Sequence, residues 1–97
     1  MIRSFRNRGT EDVFDGVQSR AARQICPSTL WPNARRKLDQ LNRVTQLHQL
    51  KIPPGNHLER LRGDRSGQFS IRINNQYRIC FSWEPDYADQ VEITDYH

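Results

Sequence analysis

Residues 56–81, NHLERLRGDRSGQFSIRINNQYRICF, decide how this chain folds. Phe69, Ile71 and Ile73 alternate with Ser70 and Arg72, the period of a strand with one buried face. Asn74-Asn75 follows, a pair that tolerates positive φ and suits a tight hairpin. Tyr77, Ile79, Phe81 and Trp83 resume the alternation, with Arg78, Cys80 and Ser82 opposite them. Upstream, Gly63-Asp64-Arg65-Ser66-Gly67 reads as a hairpin loop, so residues 57–61 form a further strand with Leu58 and Leu61 partly buried. Downstream, Glu84-Pro85-Asp86 turns the chain into a last strand marked by Val91 and Ile93. Neighbouring strands joined by hairpins make an antiparallel meander.

The residues before this meander supply what covers it. Ile2-Arg3-Ser4-Phe5 alternates and reads as a short strand. Thr10 followed by Glu11-Asp12 is a helix start, a hydroxyl cap with acids where the helix dipole favours them. Val13, Phe14 and Val17 give that helix a short apolar stripe, fraying near Ser19. Residues 20–26 are basic and have no clear period. Cys26-Pro27-Ser28-Thr29 breaks and restarts the chain, and Ala34, Leu38, Leu41, Val44 and Leu47 then recur at spacings of three and four, a helix over residues 30–47. Pro53-Pro54-Gly55-Asn56 is a rigid turn. The order is β-α-α-β-β-β-β, an α+β domain with two helices on one face of an antiparallel sheet.

Ninety-seven residues make one domain, spanning 1–97. Lysine and arginine number 15 against 11 acids, a net charge of +4, and only Lys37 and Lys51 are lysine. Arginine forks onto phosphates and stacks on bases, so a nucleic acid, RNA above all, is one reading. A genome rich in G and C, which encodes Arg in place of Lys, is the other. Two cysteines, Cys26 and Cys80, make neither a disulfide framework nor a Cys-x-x-Cys metal pair. Residues 1–5 lead straight into polar sequence, and no apolar run approaches membrane-spanning length, so a cytoplasmic protein is expected.

Strand parity gives the candidate site. If the odd-numbered residues of the meander face the helices, Arg78 and Tyr96 share the opposite, solvent-open face. Arg62, at the mouth of the Gly63–Gly67 loop, leans over that face. Asp95, His97 and Glu59 lie near it in sequence or register. Such a set suits RNA backbone cleavage: a 2′-hydroxyl loses a proton, the phosphate gains charge, and the leaving 5′-oxygen takes a proton. Arg62 and Arg78 are always charged and fit charge stabilisation, whereas His97 can move a proton near neutral pH. Tyr96 can stack on a base or hydrogen-bond the phosphate. No carboxylate cluster stands out for a divalent metal, so neither a metal nor another cofactor is expected. His48 and His57 read as ordinary surface residues, and the basic outer face of the long helix reads first as a solvated face and second as an RNA contact.

Taken together, Ile2-Arg3-Ser4-Phe5, Pro53-Pro54-Gly55-Asn56, Leu58-Glu59, Arg62-Gly63-Asp64-Arg65, Gly67 to Asn74, Tyr77-Arg78-Ile79-Cys80-Phe81 and the ending Asp95-Tyr96-His97 resemble the HigB-type toxins of the RelE superfamily. The resemblance spans nearly the whole chain. It implies a microbial-ribonuclease-like fold and a ribosome-dependent endoribonuclease that cuts mRNA in the ribosomal A site. It implies as partners the ribosome with its small-subunit RNA, and a HigA-like helix-turn-helix antitoxin that binds the toxin and represses the operon. The family's catalytic positions fall on Arg62, Arg78, Asp95, Tyr96 and His97. Where well-studied relatives carry a His three residues before the basic residue, this chain has Glu59. Two roles stand open for Glu59, a base with a raised pKa or a partner that positions Arg62. Docking on RNA falls to Arg35, Arg36, Lys37 and Arg65. The superfamily also holds ParE-like toxins, which inhibit DNA gyrase by binding and cleave nothing; the set Arg62, Arg78, Tyr96 and His97 argues against that alternative.

Overall fold

The computed structural model describes residues 1–95, so Tyr96 and His97 lie outside the described residues. Helices α1 (Arg8–Asp15), α2 (Arg20–Ile25) and α3 (Trp31–Arg43) precede strands β1 (Glu59–Arg60), β2 (Gln68–Arg72), β3 (Tyr77–Trp83) and β4 (Ala88–Asp95). The strands form one antiparallel sheet in the order β1-β2-β3-β4. Alternation fixes which side each residue takes, and the helices cover the side carrying Ile71, Ile79, Phe81, Val91 and Ile93. Residues 2–5 run alongside β4 through two parallel bridges, Ile2 to Ala88 and Phe5 to Val91.

Several elements differ from their sequence-based expectation for local reasons. The cap of α1 is Asn7, whose side-chain oxygen accepts from the Thr10 amide at 2.9 Å. Thr10 sits inside the first turn, and its buried hydroxyl accepts instead from the Ile93 amide at 2.9 Å, pinning α1 to β4. The basic stretch after Ser19 is helical: Ser19 caps α2 by accepting from the Ala22 amide at 3.0 Å. The long helix stops at Arg43, where Val44 turns extended, and Leu47 continues the apolar pattern from a 3-10 turn over Leu47–Lys51. The strand over 57–61 shortens to β1 because His57 adopts a left-handed conformation, φ 46°.

Buried Asn56 fastens the segment between α3 and β1. Its amide nitrogen donates to Gln40 Oε1 and to the Leu50 carbonyl, each at 3.0 Å, while its oxygen accepts from Lys37 Nζ. Each of these groups would be costly to bury unpaired.

At Gly9, α1 and α2 approach closely: a Cβ there would stand 2.6 Å from the Ala21 carbonyl oxygen and 3.0 Å from Ile25 Cβ. Alanine gains about 1 kcal/mol over glycine within a helix. A backbone collision of this depth outweighs that gain, because the neighbour is a main-chain atom that moves only with its helix. Gly9→Ala is therefore expected to destabilise by about 1–3 kcal/mol, read as a lower urea midpoint. An increase in stability would show that α2 yields freely.

Candidate active site

The sheet face away from the helices gathers charge. Register places Ser70 opposite Cys80 and Cys80 opposite Glu92, with Arg78 opposite Thr94, so Ser70, Arg78, Cys80 and Glu92 share one side. Arg78 was expected on a solvent-open surface; parity puts it on the expected side, but the residue is only 3% exposed. The guanidinium donates to Ser70 Oγ at 2.7 Å and to Glu59 Oε1 at 3.1 Å. A buried cation without such partners would carry a heavy desolvation cost. Glu59 is 45% exposed at its side chain, so this pair joins a buried charge to a wet one. Its partner is Arg78 rather than Arg62.

Arg65 and Glu92 make the second ion pair of this face. Arg65 Nη1 lies 2.7 Å from Glu92 Oε1, and it also donates to Gln68 Oε1 at 3.1 Å. The buried Glu92 Oε1 is held by this charged contact. Glu92 beside it raises the Arg65 pKa above its ordinary value, with burial acting the other way. Arg6, from the segment flanking β4, approaches Glu92 Oε2 at 3.8 Å. Burial pushes the Cys80 thiol up, against the pull of Arg65 and Arg78, so it stays a neutral thiol packed between charges.

The remaining expected residues separate. Arg62 is exposed at the start of the Gly63–Gly67 loop and, among the described residues, enters no ion pair. Asp95 lies across from Tyr77, on the parity opposite to Arg78, and accepts from Gln76 Nε2 at 3.0 Å. Arg35 Nε donates to the Val13 carbonyl at 3.0 Å, so its guanidinium is occupied at the end of α1. Arg36 and Lys37 line a groove of about 340 Å³ with Asn33, Gln40, Arg43 and Pro53, in the helical layer. Burial, and then the neighbouring Arg36, hold the Lys37 pKa below its usual value. Among the described residues no three His, Cys, Asp or Glu converge as metal ligands.

Ser70 and Glu92 were not singled out from sequence. Their parity with Arg78 was visible, but a small hydroxyl and a strand carboxylate carry no signature until register sets them beside arginines.

The fold is a short antiparallel sheet with helices on one side and clustered arginines on the other. The solved YoeB-YefM complex from Staphylococcus aureus shares the fold, with a TM-score of 0.60 over 100% of this chain and 98% of that one at 14% identity. A model of the RelE-like toxin HigB of type II toxin-antitoxin systems matches residues 3–97. Toxin HigB-1 of Vibrio cholerae serotype O1 is 34% identical over 83 residues, 86% of this chain and 84% of that protein. An uncharacterized protein of Haemophilus influenzae is 40% identical over 58 residues, 60% of this chain and 57% of its own length. The chain belongs to the HigB-like family of type II toxin-antitoxin toxins.

Proposed function

We propose that this toxin is a ribosome-dependent endoribonuclease that cuts mRNA in the ribosomal A site and so stops translation. The observation that carries the reading is Arg78, buried yet clamped between Ser70 and Glu59, with the exposed cation Arg62 on the neighbouring loop. Arginines held rigidly in a partly dehydrated site stabilise charge growing on a phosphate far better than mobile surface cations do. In the proposed step a base takes the 2′-hydroxyl proton, and the 2′-oxygen attacks the adjacent phosphorus. The bond to the 5′-oxygen breaks, and that oxygen takes a proton. Exposed Arg62 binds the phosphoryl oxygens, buried Arg78 adds fixed positive charge beneath them, and neither transfers a proton. They supply the positive charge that a metal would otherwise bring. Proton transfer falls to His97, with Glu59 as the second candidate and Tyr96 and Asp95 orienting the substrate, roles that rest on the family resemblance.

Arg36, Lys37 and Arg43, none of them in an ion pair among the described residues, would grip structured RNA while the opposite side of the sheet does the chemistry. The partner that restrains the toxin is a HigA-like helix-turn-helix antitoxin. Family membership supports an antitoxin, and the solved relative is itself a toxin–antitoxin complex. The work is done in the cytoplasm, where mRNA is translated.

The test maps 5′ ends on a defined mRNA incubated with purified toxin, with and without programmed ribosomes. Cuts within A-site codons, only when ribosomes are present, are the expected result. No cuts in either case, from a protein that still arrests growth, would replace this reading with gyrase inhibition of the ParE type.

A further inference from the structure

Two of the loop arginines do different things. Arg62 is exposed and enters no ion pair among the described residues. Three residues on, Arg65 turns back over the sheet. It touches Gln68 on β2, passes above Cys80 on β3 and ends on Glu92 of β4. One side chain thus spans three strands and ties the loop to the strand farthest from it. Glu92 is suited to hold it, being 15% exposed at its side chain and flanked on its other oxygen by Arg6.

The loop itself is loosely built. It begins and ends at glycines in the left-handed region, Gly63 at φ 65° and Gly67 at φ 91°, and a Cβ at either would meet nothing within 4 Å. A single 3-10 turn, Gly63–Arg65, lies between them, closed by the Ser66 amide on the Gly63 carbonyl at 3.0 Å. Such a segment has little packing of its own to fix its position, so its placement depends on side-chain attachments. Two cations face this nearly buried carboxylate, Arg65 on Oε1 and Arg6 on Oε2, and offset the cost of its burial.

We infer that Glu92 is a positioning residue: through Arg65 it clasps the Gly63–Gly67 loop onto the sheet and so fixes where Arg62 meets the phosphate. This rests on the endonuclease reading, but the holding of the loop does not. The clasp separates the two loop cations into one that anchors and one that contacts substrate. Arg65, assigned to RNA contact from sequence, becomes the anchor.

The test combines amide hydrogen exchange with ribosome-programmed cleavage in a mutant cycle of Glu92→Gln, Arg62→Ala and their double. Glutamine keeps the shape and removes the charge that holds Arg65. Exchange at Arg65 and Ser66 should speed up in Glu92→Gln, while the β2 and β3 amides stay protected. Cleavage at saturating toxin should fall on the order of 10²-fold, the usual effect of misplacing a contact by an ångström, with the half-saturating concentration unchanged. In the Arg62→Ala background, Glu92→Gln should add almost nothing, because its effect passes through Arg62. Arg65→Lys, which keeps a single point charge for Glu92, should recover part of the rate lost in Arg65→Ala.

Unchanged loop exchange in Glu92→Gln would overturn the clasp. An equal loss of rate with and without Arg62 would overturn the positioning role and leave a general structural one. If the wild-type protein cuts nothing, the endonuclease reading falls by itself, and the exchange data still decide whether Glu92 holds the loop.

Discussion

Arg78→Ala is expected to lower mRNA cleavage by about 10²–10³-fold, the loss typical of removing one preorganised group that stabilises transition-state charge. The protein should remain folded. Truncation releases Glu59 to water, which already reaches it at 45% side-chain exposure. It leaves the buried Ser70 hydroxyl without its donor, at a cost of about 1–3 kcal/mol. That is a fraction of the roughly 5–15 kcal/mol that stabilises a small domain. Arg78→Lys is the informative companion. Lysine keeps the charge but cannot fork between Ser70 Oγ and Glu59 Oε1, which Arg78 reaches at 2.7 and 3.1 Å. Its rate should therefore fall between wild type and Arg78→Ala. Cleavage would be read by 5′-end mapping on programmed ribosomes, and folding by thermal melting of the same preparations. A folded Arg78→Ala protein that cuts at the wild-type rate would remove Arg78 from the mechanism.

Leu41→Ala should act through stability alone, at about 2–5 kcal/mol. Leu41 is fully buried on α3, beside Leu38 and Ala34, in the layer that covers the sheet. The cost combines lost transfer energy with the void left between a helix and a sheet. The backbone on both sides is fixed, by Asn33 Nδ2 donating to the Ile73 carbonyl at 2.8 Å and by the Asn56 network, so collapse into the void is restricted. Urea unfolding is the measurement, with a lower midpoint and an unchanged slope expected. A loss below about 1 kcal/mol would mean that the helix settles onto the sheet more freely than these ties allow. Any loss of toxicity in this variant should track the folded fraction, whereas that of Arg78→Ala should not.

Much of the architecture was legible because it is written in short periods. Alternation from Phe69 to Trp83 located two strands and their hairpin, and spacings of three and four located α3. The failures lie where a local signal had two possible uses. Asn7 and Thr10 are both capping residues, and only the position of β4 decides that Asn7 caps while the Thr10 hydroxyl serves Ile93. Leu47 extends the period of α3 while standing on a separate 3-10 turn, since the apolar surface it covers continues past the helix end. Residues 20–25 form a helix that propensity alone does not demand; Ser19 caps it, and its packing against Gly9 of α1 completes it.

For the candidate site, sequence alone determined the cast and the side: parity within a strand is a property of the backbone and puts Arg78, Cys80 and Ser82 together whatever surrounds them. Position in the chain added Arg62, Glu59 and the C-terminal residues, and the family resemblance marked Arg62, Arg78, Asp95, Tyr96 and His97 as catalytic positions. Only the tertiary structure decided which of these charges meet. It buried Arg78 against Ser70 and Glu59, took Arg65 across three strands to Glu92, and drew Arg35 away to Val13. Those pairings join residues 8 to 27 positions apart, and ion-pair partners are chosen by distance in space and by the cost of burying charge, neither of which any local pattern in a chain encodes.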